Sequence, residues 1–169
     1  MEYLVIDGYN VINAWNDIFD MKKDPLEECR NKLLNILSNY QGYRNNFIIV
    51  VFDAHLVKGS QEKVDFFDNL TVIFTKENET ADNYIERFVH KMGNIHTIRV
   101  VTSDYLEQTI VLSNGGVRMS PRELKDEINQ AARNTGESYI SKMERVNTVI
   151  SKIKPELLIE LEKFRRSKF

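Results

Sequence analysis

Four short runs of β-branched and aromatic residues, Tyr3–Ile6, Phe47–Phe52, Thr71–Phe74 and Thr97–Thr102, constrain the fold of this chain more than any other feature. Each run is almost continuously apolar rather than alternating, as expected of strands covered on both faces of a parallel sheet. The stretches between them carry helical patterns, and that alternation predicts an α/β fold. One helix is expected after Asp24-Pro25, with Asp24 as N-cap and proline at the first helical position. Its apolar side reads Leu26, Cys29, Leu33, Ile36, Leu37 and Tyr40. A second begins at Thr80 and buries Ala81, Ile85, Phe88, Val89 and Met92, and a third is expected near Ser103. Residues 54–69, around Lys58-Gly59-Ser60-Gln61, lack periodicity and predict an exposed loop.

With 169 residues there is room for one domain with a full core. Ser120-Pro121-Arg122-Glu123 is a capping box that opens another helix, and Gly136 and Pro155 divide the C-terminal stretch into further helices. The expected organisation is one domain over 1–134 and a helical extension over 135–169 packed on or beside it. Met1-Glu2-Tyr3-Leu4-Val5-Ile6-Asp7 has no basic region before its apolar stretch and meets an acid soon after, so it reads as a buried strand and not as a signal peptide. No apolar run reaches membrane-spanning length, and a cytoplasmic protein with no membrane partner is expected. A single cysteine, Cys29, excludes an internal disulfide and a cysteine-rich zinc site; it falls on a helical apolar stripe. The net charge of −2 does not suit a protein that coats itself in nucleic acid. Affinity for a polyanion would come from local basic patches or from a larger partner presenting the substrate.

The placement of the acids carries the chemistry. Asp7 follows Leu4-Val5-Ile6, Asp53 follows Ile48-Ile49-Val50-Val51-Phe52, and Asp104 follows Val100-Val101-Thr102-Ser103. Asp82 stands in the first turn of the helix beginning at Thr80. In an open α/β sheet, the loops at the carboxyl ends of the strands converge on one crevice, so these acids should meet there. Clustered carboxylates repel one another and take up protons unless a cation neutralises them. Oxygen donors without histidine or cysteine favour Mg²⁺ or Mn²⁺, ions that activate water and stabilise the leaving oxygen at phosphate esters. Taken singly, each acid has a structural explanation: Asp82 and Asp104 suit helix N-termini, and Asp53 could turn the chain after its strand. Asp7 is harder to dismiss, because Gly8 beside it permits a tight turn with close backbone approach, and Asn10 and Asn13 add neutral polar groups.

The strings Val5-Ile6-Asp7-Gly8-Tyr9-Asn10-Val11-Ile12, Val50-Val51-Phe52-Asp53-Ala54, Phe74-Thr75-Lys76-Glu77-Asn78-Glu79-Thr80-Ala81-Asp82 and Val101-Thr102-Ser103-Asp104 resemble the successive motifs of the NYN domain, and more narrowly of its YacP-like branch. The resemblance covers the first 125 or so residues and continues through Ser120-Pro121-Arg122-Glu123-Leu124. It implies a PIN-like three-layer fold, a central mostly parallel sheet flanked by helices, with further helices at the C-terminus. It also implies Mg²⁺-dependent endoribonuclease activity, with mRNA engaged on the ribosome as the substrate setting. On this chain's residues it implies Asp7, Asp82 and Asp104 as metal-binding and catalytic acids, Asp53 as a further metal ligand, and Asn10 as a supporting catalytic group. Glu79 either supports Asp82 or favours the helix start.

Other residues divide between two readings. Ser103 and Thr102 could meet a phosphate, while Ser103 is equally an ordinary N-cap. Arg122, at the positive end of a helix, either contacts a phosphate or pairs with an acid such as Asp126. Lys58 and Lys76 are candidate RNA-backbone contacts or solvated surface. Tyr9 and Trp15 either stack on a base or pack inside. His55, His90 and His96 show no ligand spacing. The basic stretch Lys163-Phe164-Arg165-Arg166-Ser167-Lys168-Phe169 is a solvated helix end or a ribosomal RNA contact. Two rival functions remain. One is a non-catalytic RNA- or ribosome-binding module, which gains nothing from clustered acids. The other is a phosphatase, whose nucleophilic aspartate wants a second acid two residues on, where this chain has Tyr9.

Overall fold

A computed structural model describes residues 1–54 and 58–134, apart from the side chains of residues 106 and 107. In chain order the elements are β1 (Glu2–Asp7), α1 (Gly8–Ala14), α2 (Leu26–Arg44), β2 (Phe47–Phe52), β3 (Lys63–Phe67), β4 (Leu70–Phe74), α3 (Ala81–Met92), β5 (Thr97–Val101), α4 (Tyr105–Ser113), β6 (Val117–Met119) and α5 (Pro121–Asn134). One sheet takes the order β3-β4-β2-β1-β5-β6. All neighbouring pairs are parallel except β3 with β4. The α/β, PIN-like three-layer expectation therefore holds.

The continuous apolar runs are buried on both faces, as their lack of alternation requires. Leu4, Ile6, Ile48, Val50 and Phe52 turn to one side and pack with Val11, Ile12, Leu33, Leu37 and Leu124 from α1, α2 and α5. Tyr3, Val5, Ile49, Val51 and Val100 turn to the other, against Tyr84, Ile85, Phe88 and Val89 of α3 and Val111 of α4. Each fully buried aliphatic or aromatic side chain contributes about 1.5–3 kcal/mol relative to exposure. Cys29 is buried in the first of these clusters, as its place on the helical stripe predicts.

Several local expectations need correction. The exposed loop read over residues 54–69 contains β3, an edge strand joined to β4 through the two residues Asp68-Asn69. Lys63 and Asp65 pair with each other on that strand, and such charges hide an edge strand's pattern while protecting it from further pairing. At three residues, β6 is too short to show a pattern. Instead of a turn after Asp7, the chain enters α1 directly. The helix after Asp24 begins at Leu26, with Pro25 in the cap position and no side-chain cap bond, so Asp24 does not cap it. Leu26 is exposed and Ile36 half-buried, whereas the rest of that stripe is buried. The capping box at Ser120 forms as read: the Ser120 N–H donates to Glu123 Oε2 at 2.7 Å, and the Glu123 N–H donates to Ser120 Oγ at 3.2 Å. The segment 135–169, with the divisions at Gly136 and Pro155 and the final basic stretch, lies outside the described residues. Among the described residues, no helix is long and apolar enough to cross a membrane.

Candidate active site

The parallel strands β1, β2, β4, β5 and β6 bring their carboxyl ends to one edge, and the acids gather there. Asp7 is the last residue of β1 and the N-cap of α1, where its Oδ1 accepts the Asn10 N–H at 3.2 Å. Only 9% of Asp7 is exposed. Burial is the main force raising its pKa from 3.8 to about 7; the Asn10 N–H opposes that rise, and the charges of Asp82 and Asp53 add to it. These three acids therefore share one electrostatic environment. Asp82 is exposed in the first turn of α3, Asp53 is half-buried after β2, and Asp104 is exposed just before α4.

A set of uncharged side chains holds these loops. Asn10 Oδ1 accepts both the backbone N–H of Ser103 at 2.8 Å and its hydroxyl at 2.9 Å. That clamp ties the start of α1 to the loop carrying Asp104. Thr102, fully buried, accepts the Asp104 N–H on its Oγ1 at 3.1 Å, so it fixes Asp104 rather than facing a phosphate. Thr75, also fully buried, accepts the Ala54 N–H at 2.9 Å and so steadies the residue after Asp53. Sequence reasoning missed Thr75, since a threonine at a strand end looks like any strand residue. Thr80 caps α3 by accepting the Asn83 N–H at 3.2 Å, which sets the turn holding Asp82. Behind that turn, Arg87 pairs with Glu79 at 2.8 Å and with Glu62 at 3.3 Å, in a largely buried triad. Glu79 thus anchors the helix start through Arg87.

The other candidate residues are spread more widely. Ser103 commits its hydroxyl to Asn10 and does not cap α4, which begins at Tyr105. Arg122 is exposed in the first turn of α5, at the same sheet edge. Lys58 and Lys76 are both exposed, on neighbouring turns. Those turns are joined by the Gly59 N–H donating to Glu77 Oε2 at 2.8 Å and the Glu77 N–H donating to Ser60 O at 2.9 Å. Trp15 is buried and donates its indole N–H to Pro121 O at 2.9 Å, linking α1 to the start of α5. Tyr9 is half-buried, packs on Phe52 at 5.1 Å between ring centroids, and accepts from Arg30 on its hydroxyl. His96 packs edge-on against Tyr3, His90 lines a shallow cleft on α3, and His55 lies outside the described residues.

The model of the YacP-like NYN domain matches residues 4–166. The chain belongs to that family. This YacP-like chain is 42% identical over 175 residues to the YacP protein of Bacillus subtilis (strain 168), covering 98% of each. It also resembles the crystal structure of Rae1 (YacP) from Bacillus subtilis, with a TM-score of 0.66, 40% identity, and coverage of 99% of this chain and 96% of that one. A mutant form of the same Bacillus protein gives a TM-score of 0.70 at 38% identity, covering 95% and 99%. Membership of this NYN, PIN-like nuclease family supports an RNase-type function.

The donor set of this YacP-like domain suits a hard divalent cation: it offers carboxylate oxygens, and Asp7 is an acid pushed toward neutrality mainly by burial and further by the charges of Asp82 and Asp53, a cost that a cation would relieve. In the described residues no three acid, histidine or cysteine side chains yet lie close enough together to enclose an ion. Asp7, Asp53 and Asp82 form the coupled core, with Asp104 placed on the adjoining loop by Thr102 and Asn10.

Proposed function

We propose that this chain is a Mg²⁺- or Mn²⁺-dependent endoribonuclease that hydrolyses phosphodiester bonds in RNA, its substrate being mRNA on the ribosome in the cytoplasm. The observation carrying this reading is the buried Asp7, coupled to Asp82 and Asp53 at the carboxyl edge of a parallel sheet. A folded chain gains no stability from such an arrangement by itself, so its value lies in what it binds.

Asp7, Asp82 and Asp104, together with Asp53, would hold the cation. When bound, it supplies an activated water and charge neutralisation at the leaving oxygen. The chain's own residues do the positioning. The Asn10–Ser103 clamp and Thr102 hold the Asp104 loop against the start of α1, and the Arg87 triad holds the turn of Asp82. Arg122, Lys58 and Lys76 are exposed cations that neutralise flanking phosphates and set the strand's direction. With a net charge of −2, the chain has little general attraction for RNA, which favours presentation of the substrate by a larger assembly. The test is a map of RNA 5′ ends in cells carrying the wild-type or the Asp82→Asn protein. Ends lost in the variant and lying within translated regions support the reading. Identical maps favour the alternative, a PIN-like module that binds RNA or the ribosome without cutting.

A further inference from the structure

Among the described residues, most aromatic side chains are buried or half-buried. Tyr3, Tyr40, Tyr84, Trp15, Phe52 and Phe88 are buried, and Tyr9 is engaged by Arg30 and Phe52. Among the described residues, only two aromatic side chains are exposed: Phe66 at 40%, on the edge strand β3, and Tyr105 at 78%. Tyr105 is the first residue of α4 and directly follows Asp104. Its backbone is held on both sides. Its carbonyl accepts the Thr109 hydroxyl at 3.0 Å, and two residues upstream Ser103 is clamped by Asn10. A bulky ring is thus presented to solvent from a held backbone directly after Asp104, where internal packing gives it no role.

We propose that Tyr105 is a stacking platform for a base of the substrate strand, seating the nucleotide next to the scissile phosphate. Single-stranded RNA is read largely by stacking unpaired bases on aromatic side chains, and a tyrosine ring accepts any base. A duplex keeps its bases stacked on one another, so this platform selects unpaired RNA. The proposal rests on the ribonuclease reading and deepens it by naming a specificity-determining residue. It also replaces Tyr9 and Trp15, whose packing removes them from that role.

The test uses the full chain with tyrosine replaced by alanine, phenylalanine or tryptophan: Y105A, Y105F and Y105W. Binding of a fluorescein-labelled single-stranded RNA, and of the same sequence as a duplex, is followed by anisotropy in EDTA. Y105A should bind the single strand about tenfold more weakly and the duplex unchanged, while Y105F keeps wild-type affinity. In Y105W the new indole should be quenched by the single strand, against the constant background of buried Trp15. Wild-type affinity in Y105A, an equal loss in Y105F, or an unquenched Y105W overturns the proposal. Cleavage in Mg²⁺ separates it from the nuclease reading. If the wild-type chain binds through Tyr105 and leaves RNA intact, the nuclease reading fails and the platform stands. If wild type and Y105A cleave with equal KM, the platform fails and the nuclease stands.

Discussion

Replacing Asp7 by asparagine should make the metal-free protein more stable while removing its response to divalent cations. The fold holds the Asp7 proton more tightly than the unfolded chain does, because the pKa rises from 3.8 to about 7. Its favourable contribution is therefore complete below pH 3.8 and is lost as pH rises through about 7, leaving a buried carboxylate. At about 1.36 kcal/mol per pH unit, the full penalty is roughly 4 kcal/mol. Asparagine keeps the oxygen that accepts the Asn10 N–H and carries no charge. At pH 8 in EDTA the Asp7→Asn protein should thus melt above wild type, by roughly 8–16 °C for a chain of this size. At pH 4 the two should melt together. Adding Mg²⁺ at a hundred times its Kd should stabilise wild type by about 2.7 kcal/mol and leave the variant unmoved. Thermal melts at both pH values, with and without Mg²⁺, decide it. A variant that melts below wild type at pH 8, or by the same margin at both pH values, refutes the argument that Asp7 carries a stored electrostatic cost.

Asn10→Ala removes the acceptor for both Ser103 bonds, and the misplaced Asp104 loop should lower kcat about a hundredfold with KM little changed, as read by steady-state RNA cleavage. Arg87→Met leaves Glu62 and Glu79 buried without their cation and should cost about 3–5 kcal/mol in urea unfolding at pH 7, with the loss shrinking in acid as the Glu62 carboxyl, already raised by burial, takes up its proton. Gly8→Ala drives a Cβ into the Phe52 ring at the start of α1, and should cost about 1–3 kcal/mol in the same unfolding assay.

How legible each feature was in the sequence depends on how it is encoded. The central strands were legible because burial on both faces writes continuous apolar runs, and α3 because its buried positions keep the helical period. The edge strand β3 was not, since it exposes Lys63 and Phe66, leaves its other residues only half-buried, and carries charge at Lys63 and Asp65. Gly8 was read as a turn residue beside Asp7. Its small size instead serves the Phe52 ring at the head of a helix, a contact between residues far apart in sequence. The placement of the acids at one edge was legible because parallel topology carries strand ends there. Their support was only partly so. Asn10 stood out beside Asp7, but its bonding to Ser103, ninety-three positions away, is a tertiary fact with no local signature. Arg87 likewise sits in an ordinary helical pattern, and only the fold brings Glu62 to it.

The central claim is that the carboxylate edge built around Asp7 cuts RNA with a divalent cation. The most direct measurement incubates the purified chain with a labelled single-stranded RNA across a Mg²⁺ titration, beside the Asp82→Asn variant and an EDTA control. Internal cleavage that rises with Mg²⁺, stops in EDTA and is lost in Asp82→Asn is the predicted result. Cleavage that persists in EDTA, or in Asp82→Asn at the wild-type rate, would contradict it.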